Sequence, residues 1–457
     1  MSGIVGGGKQ LAIMEETIST VHPNSAGIDI GSRSVFVAVS GQGVKTFGTF
    51  TSEYKLLVSY LSSQGVRTVA MEATGVYWYS LYEVLEASGI EVWLVNGAHV
   101  KNVPGRKSDV QDCQWLQQLH SWGLLRKSFI PEEATRQLRT YTRLREDHIE
   151  MAASHVQHMQ KALTSMNVRL HEVISQINGV SGMRVLKAIL AGERDAQRLL
   201  QLCDKQIVKR KGPQVVLSLE GHYKEEHLFA LRQAVECYEF YERQRLACDA
   251  QIEGLLRQVN EGLPPPDCPT LGQPRPARHN QPKIEYLHAL LVTAAGGRDA
   301  AAISGFSDKT FLKLLAEVGS NVEAWPSPEH FVSWLGLAPR TDQSGKMKRR
   351  RRNGAKTLAG QIFREAAMAV AESKYLAVGS FYRRIRAKRG PKIAIVATAR
   401  KLAVQFYNTM KHGVQFVEQG IKKYEEQQRQ KLERFLQKKA QELGYQLVNI
   451  QTAEVVH

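Results

Sequence analysis

The sequence predicts an α/β layer domain near the N-terminus, a long helical middle, and a second, mostly helical domain. Three observations predict it. Short β-prone runs alternate with helix-period stretches over residues 25–131. Residues 132–261 are rich in Gln, Glu, Arg and Leu and carry almost no strand pattern. Seven prolines between Pro264 and Pro282 then mark a linker over 262–283, after which a helical pattern resumes over 284–413.

Each element has its own signal. Residues 1–24, with Gly3, Gly6, Gly7 and Gly8, hold nothing that builds a core and are expected to be a disordered lead-in. Ile28–Ile30 and Val35–Val39 are β-prone runs separated by Gly31-Ser32-Arg33, a hairpin signature. Residues 53–63 read as a helix, Arg67–Met71 as a strand, Tyr77–Ala87 as a helix and Ile90–Val95 as a third apolar strand. In 109–121, Val110, Cys113, Leu116 and Leu119 recur at helical spacing. The middle reads as extended helices, a coiled-coil arm, interrupted at Gly212-Pro213. The tail, 414–457, contains a polar amphipathic helix with Ile421, Tyr424, Leu432 and Phe435 set among Lys, Glu and Gln.

Composition narrows the function classes. The 457 residues suit two to four domains. The net charge of +17 favours a polyanionic partner, because Lys and Arg replace the counterions of a phosphate backbone. No apolar run is long enough to span a bilayer, so no membrane role is expected. No export pattern is read at the N-terminus. The five cysteines, Cys113, Cys203, Cys237, Cys248 and Cys268, form no CxxC pair. Neither a disulfide framework nor a zinc site is expected, and the reading is a reduced, intracellular protein.

Four acids stand where strands end or a helix begins. Asp29 lies inside the apolar run Gly27–Gly31, and Glu72 closes the strand Val69-Ala70-Met71. Asp109 and Asp112 are three apart, on one face of a helix. A charge in an apolar strand is costly unless it is paired or binds a metal. Two Mg²⁺ ions about 4 Å apart need several carboxylate oxygens from different elements, and this pattern offers them. Each acid also has a plainer reading. Asp29 suits a turn before Gly31, or the opening of a phosphate loop of the sugar-kinase and actin type. Glu72 suits a cap for the next helix, Asp109 a helix N-terminal acid, and Asp112 a solvated helix position.

The second domain carries two further features. Ile303-Ser304-Gly305-Phe306-Ser307 precedes an apolar helix over Thr310–Val318, which resembles a helix–hairpin–helix element or a plain helix turn. Gly336-Leu337-Ala338-Pro339 is followed by Gln343-Ser344-Gly345-Lys346, where a serine alone reads as a turn residue. Lys346, Lys348, Arg349, Arg350, Arg351, Arg352 and Lys356 follow at once, and Arg383, Arg384, Arg386, Lys388 and Arg389 form a second basic cluster with Lys392. Such runs are commonly solvated faces or localisation signals.

Three segments resemble the IS110/IS1111 family of transposases: GIDIGSRSVFVAV from Gly27, the stretch from Met71 to Leu125, and WLGLAPRTDQSGK from Trp334. The likeness covers roughly 25–130 and 300–412. It implies an RNase H-like (RuvC-like) N-terminal domain whose metal ligands, in the order Asp, Glu, Asp, Asp, fall on Asp29, Glu72, Asp109 and Asp112. It further implies Mg²⁺ as cofactor, with Mn²⁺ as a substitute, and Ser344 as the nucleophile forming a covalent phosphoserine with DNA. Tyr375, Tyr382 and Tyr407 are the competing hydroxyls. The partners implied are donor and target DNA and a structured noncoding guide RNA of the bridge type. A homo-oligomer, dimer or tetramer, with one site shared between subunits, is also implied, as is a cytoplasmic, nucleoid-associated location in a prokaryotic cell. Beside such a serine the basic runs grip phosphates. The sequence departs from many relatives at Arg351-Arg352-Asn353-Gly354-Ala355-Lys356, where they read Ser-Lys-Arg-Gly-Asn. Two other readings remain: a RuvC-like nuclease that hydrolyses DNA with water, and a non-catalytic nucleic-acid-binding protein.

Overall fold

The computed structural model describes residues 19–73, 75–97, 109–264, 266, 280–339, 341–344, 347–350, 357–413 and 421–446. The chain divides into two compact units, 1–130 and 131–457.

The first unit is built on a five-stranded sheet of order β3-β2-β1-β4-β5. Its strands are β1 (Ser25–Ile30), β2 (Ser34–Val39), β3 (Lys45–Gly48), β4 (Thr68–Glu72) and β5 (Glu91–Val95). β1, β2 and β3 run antiparallel as a meander, whereas β4 pairs parallel to β1 and β5 parallel to β4. The hairpin turn expected at Gly31-Ser32-Arg33 is present, closed by Gly31 N donating to Ser34 O at 2.9 Å. β3 had no clear signal in the sequence. It is a four-residue edge strand with a single buried side chain, Phe47, so there was no alternation to read.

Period-two alternation gives each strand two faces. Ala26, Ile28 and Ile30 join Val69, Met71, Val92 and Leu94 in one core, covered by α1 (Thr51–Ser63) and α2 (Trp78–Ala87) through Tyr54, Leu57, Leu61, Leu81 and Leu85. Ala70 and Val95 face the other way and pack with Leu116 of α3 (Asp109–Ser121) and with Leu125. Of the expected lead-in, residues 19–24 are described. Val21 and His22 donate their amides to Ser121 O, and the His22 ring stacks on His120, with centroids 4.8 Å apart.

The second unit begins with an antiparallel pair of long helices, α4 (Glu133–Ser165) and α9 (Glu225–Val259). Arg145 pairs with Asp249, and His155 stacks on Tyr241 with centroids 5.6 Å apart, which fixes the antiparallel sense. Between them lie α5 (Leu170–Val173), α6 (Val180–Leu190), α7 (Ala196–Gln201) and α8 (Lys205–Ser218). These short helices cap the far end of the pair over a core that includes Met166, Leu170, Leu186, Leu199 and Val215. The break expected at Gly212-Pro213 is not there, because α8 runs through Pro213. A mid-helix proline costs about 3 kcal/mol. Packing of Gly212, Val215 and Ser218 on the inner face keeps the helix intact while Pro213 is exposed.

The C-terminal part is mostly helical, as expected: α10 (Leu287–Ala294), α11 (Asp308–Val318), α12 (Pro328–Trp334), α13 (Leu358–Ala371), α14 (Ala377–Arg389), α15 (Pro391–His412) and α16 (Ile421–Glu442). One hairpin, β6 (Thr341–Ser344) with β7 (Met347–Arg350), interrupts them. Phe311, Phe331, Phe363 and Phe406 are fully buried at its centre. Gly305 has φ +88°, and a Cβ there would lie 2.5 Å from Val370 Cγ1 of α13. Packing against α13 therefore accounts for this glycine without a bound phosphate. The four described cysteines are free thiols. No described helix is long and apolar enough to cross a membrane.

Two outcomes follow. Arg145 and Asp249 are 1% and 2% exposed in their side chains, and Arg245 and the Lys283 amide also bond to Asp249. Asp249→Ala takes from the buried Arg145 its closest carboxylate, while Arg245 keeps Glu242, and should destabilise the second unit by about 3–5 kcal/mol, read by denaturant unfolding. In the first unit His120 is buried, with Nε2 3.0 Å from the Thr68 hydroxyl. Burial, then the neighbouring His22, lowers its pKa from 6.5 to about 4. The unfolded chain takes up this proton first, so stability should fall as pH drops from about 6.5 to about 4. His120→Gln should remove that part of the pH dependence of thermal melting.

Candidate functional site

In the parallel pair of β1 and β4, Ile28 lies opposite Met71. The next residue of each strand is one of the expected acids, Asp29 and Glu72. Because Ile28 and Met71 point into the core under α1 and α2, Asp29 and Glu72 fall on the opposite face, toward α3. Both are half-buried. They thus stand side by side at the carboxyl ends of adjacent strands, which are about 4.8 Å apart in a sheet.

α3 begins at Asp109, so Asp109 and Asp112 occupy its first turn. The helix crosses β1 at very close range. A Cβ on Gly27 would lie 2.2 Å from Cys113 O and 2.3 Å from Gln117 N. Only glycine permits that approach, which brings Asp112 to the strand bearing Asp29. The Cys113 thiol registers the result: burial pushes its pKa up to about 12, and the charges of Asp29 and Asp112 add to the rise. Beyond β5, a Cβ on Gly97 would lie 2.0 Å from Glu72 Oε1, so this second glycine leaves the Glu72 carboxylate its room.

The structure therefore sets Asp29 and Glu72 side by side on one sheet face and brings Asp112 of α3 to the strand that bears Asp29. The side chain of Asp109 lies outside the described residues. Among the described residues, no group of three or more His, Cys, Asp or Glu side chains is placed to hold a metal ion. The donor chemistry, carboxylate oxygens on a polar end of an otherwise apolar sheet, fits a hard divalent cation. Gly27, Gly97 and Cys113 were missed in the sequence. Gly27 had a signal, a glycine inside a β-prone run, which marks close approach of another backbone.

Ser344 is the last residue of β6, in register with Met347, rather than part of an irregular turn. The strand pairs Gln343 with Lys348, Asp342 with Arg349 and Thr341 with Arg350. Lys346, Arg351, Arg352 and Lys356 lie outside the described residues. The chain on either side of the hairpin is fastened together. The Thr357 hydroxyl donates to Leu335 O at 3.2 Å and accepts from Gly360 N at 3.0 Å, capping α13. Arg364 Nη2 donates to Gly336 O at 3.2 Å, and burial pulls the pKa of this arginine down.

The second basic cluster lies on α14. Arg383 donates to Ser373 O and Arg386 pairs with Glu372, so both serve the fold. Arg384, Lys388 and Arg389 are exposed. Among the three tyrosines, Tyr407 is buried with its hydroxyl donating to Trp325 O at 2.7 Å, Tyr382 is buried, and Tyr375 is 86% exposed.

A mixed five-stranded sheet flanked by helices, with acids at the ends of its central strands, fits an RNase H-like domain. Residues 26–168 match a family model described as a transposase, of the DEDD type of IS110. Residues 299–383 match the model described as the transposase IS116/IS110/IS902 family. The chain belongs to the IS110 family of transposases. No curated protein matches it.

Gly27→Ala should force α3 off the sheet, lowering stability by about 1–3 kcal/mol in thermal or denaturant melts. Gly97→Ala meets only the end of a flexible side chain. It should leave the melting temperature nearly unchanged while sharply reducing strand cleavage, measured on labelled DNA. Equal losses of stability in both variants would contradict a separate role for Gly97.

Proposed function

We propose that this transposase cuts and rejoins DNA with a divalent cation and a serine nucleophile. One observation carries the reading most: Asp29 and Glu72 stand side by side on one sheet face, and Asp112 of α3 comes down on the strand bearing Asp29, in a segment that matches the DEDD transposase model. Asp29, Glu72, Asp109 and Asp112 are the residues to hold the cation. Mg²⁺, with Mn²⁺ as a substitute, supplies charge stabilisation at the phosphate and favours the ionised hydroxyl.

Ser344 Oγ attacks the phosphorus of a DNA phosphodiester. A bond forms between Oγ and phosphorus, and the bond from phosphorus to one sugar oxygen breaks. The serine proton is lost and the departing sugar oxygen gains one. A hydroxyl of a second DNA end then attacks the phosphoserine and restores the serine. Each step exchanges one phosphate ester for another, so no water is consumed. The β7 residues Lys348, Arg349 and Arg350, in register with Gln343, Asp342 and Thr341 of the serine's own strand, bring positive charge to the phosphates. Arg384, Lys388 and Arg389 of α14 extend that charge. A structured noncoding RNA pairing with donor and target DNA provides sequence choice, in an oligomer acting in the cytoplasm, on the nucleoid, of a prokaryotic cell.

The acids and Ser344 come from different subunits in this reading. Asp109→Ala and Ser344→Ala proteins should each be inactive alone, with DNA binding largely intact. Mixed, they should recover part of the cleavage, because some oligomers then hold one intact site. Peptide mapping of the trapped DNA adduct should find it on Ser344. An adduct on Tyr375, the exposed tyrosine, would remove the serine and leave the metal site standing. Cleavage by hydrolysis with no adduct would favour a nuclease.

A further inference from the structure

The cap of α5–α8 lies between the two segments that match the family, 26–168 and 299–383. It shares one core with the ends of α4 and α9, and its charge is uneven. Residues 166–224 carry ten Lys and Arg against five Asp and Glu. Four of those acids are already committed. Glu172 pairs with Arg169, Glu193 pairs with Arg198, and Asp195 and Asp204 cap α7 and α8.

The excess cations gather on α8. Its inner face packs through Gly212, Val215 and Ser218, and Lys211 is tied to the carbonyl of Val173. Lys205, Lys209 and Arg210 remain. They are exposed, and none has a side-chain partner among the described residues. Lys205 and Lys209 are one turn apart on one face, and Arg210 follows about 100° round the exposed side of the helix. An exposed cation without a partner keeps its whole charge available to an anion, whereas a paired one has spent it.

We propose that Lys205, Lys209 and Arg210 of α8 form an accessory phosphate-binding face that takes the sugar–phosphate backbone of a nucleic acid. The inference rests on the reading of this chain as a protein that works on nucleic acid. A backbone contact of this kind carries no base information. It adds affinity and position at a place remote in sequence from the acids and from Ser344.

The test uses the full-length protein without divalent cation, so that binding is read apart from cleavage. Affinity for a random-sequence DNA duplex and for an RNA duplex of equal length is measured by fluorescence anisotropy over a salt series. The probes compare wild type, the triple variant Lys205→Glu, Lys209→Glu, Arg210→Glu, and the variant Lys205→Arg, Lys209→Arg. Each phosphate contact contributes about −0.9 to the slope of log affinity against log salt on duplex DNA. The triple variant should therefore bind more weakly, with a slope shallower by about two to three. The Lys→Arg variant should match wild type. Loss confined to the DNA duplex, or to the RNA duplex, names the natural ligand. Unchanged slope and affinity for both duplexes would overturn the proposal, while the Asp109→Ala cleavage result would still judge the reaction independently. The three side chains are exposed and have no hydrogen-bond or ion-pair partner among the described residues, so the variant should melt as wild type does. If it does not, Lys205→Gln, Lys209→Gln, Arg210→Gln gives the same salt-slope readout without charge reversal.

Discussion

The backbone of Gly27 meets the backbone of α3, and the candidate site depends on that contact. A side chain at position 27 would have to occupy space already filled by Cys113 O and Gln117 N. With glycine there, the helix lies on the strand, and its first turn comes down beside Asp29. The parallel pairing of β1 and β4 then adds Glu72 at a distance set by strand spacing alone. Backbone hydrogen bonds and one close contact, rather than loop conformation, position the acids. Burial of Cys113 between α3 and the sheet, with the charges of Asp29 and Asp112 beside it, pushes its thiol pKa up, so it stays neutral next to the acids.

The second unit is organised by a different constraint. Asp249 is buried and acts as the hub for Arg145, Arg245 and the amide of Lys283. It ties α4, α9 and the chain leading into α10 at one point. A buried carboxylate with so many donors is worth less in stability than in register, because it cannot slide along the helix pair without losing them. The hairpin bearing Ser344 is held by the same economy of contacts. Leu335 O with Thr357 and Gly336 O with Arg364 fasten the chain before the hairpin to the start of α13 after it.

Much of the first unit was legible because its strands are short, apolar and bounded by glycine. Asp29 and Glu72 stood out there as charges in a β-prone setting. β3 was not legible, since a four-residue edge strand with one buried side chain leaves no pattern. Gly212-Pro213 looked like a break because propensity is local, whereas the inner-face packing of α8 is tertiary. Gly97 carried no signal at all: its meaning lies in the position of Glu72, twenty-five residues earlier. Ser344 was recognised by resemblance. Its place at the end of a strand had no period to betray it, because the strand pairs only with its own hairpin partner. The roles of Arg383 and Arg386 were hidden for a similar reason, as a basic run does not reveal which members are tied to Ser373 and Glu372.

The long helix pair has a mechanical consequence. α4 has 33 residues and is therefore about 50 Å long at 1.5 Å per residue. A tilt of about 5° at its root would carry the far end through about 4 Å, more than the length of a hydrogen bond. The capped pair is a lever. Force applied at the cap reaches the root multiplied, and small rotations at the root become large displacements of whatever the cap holds.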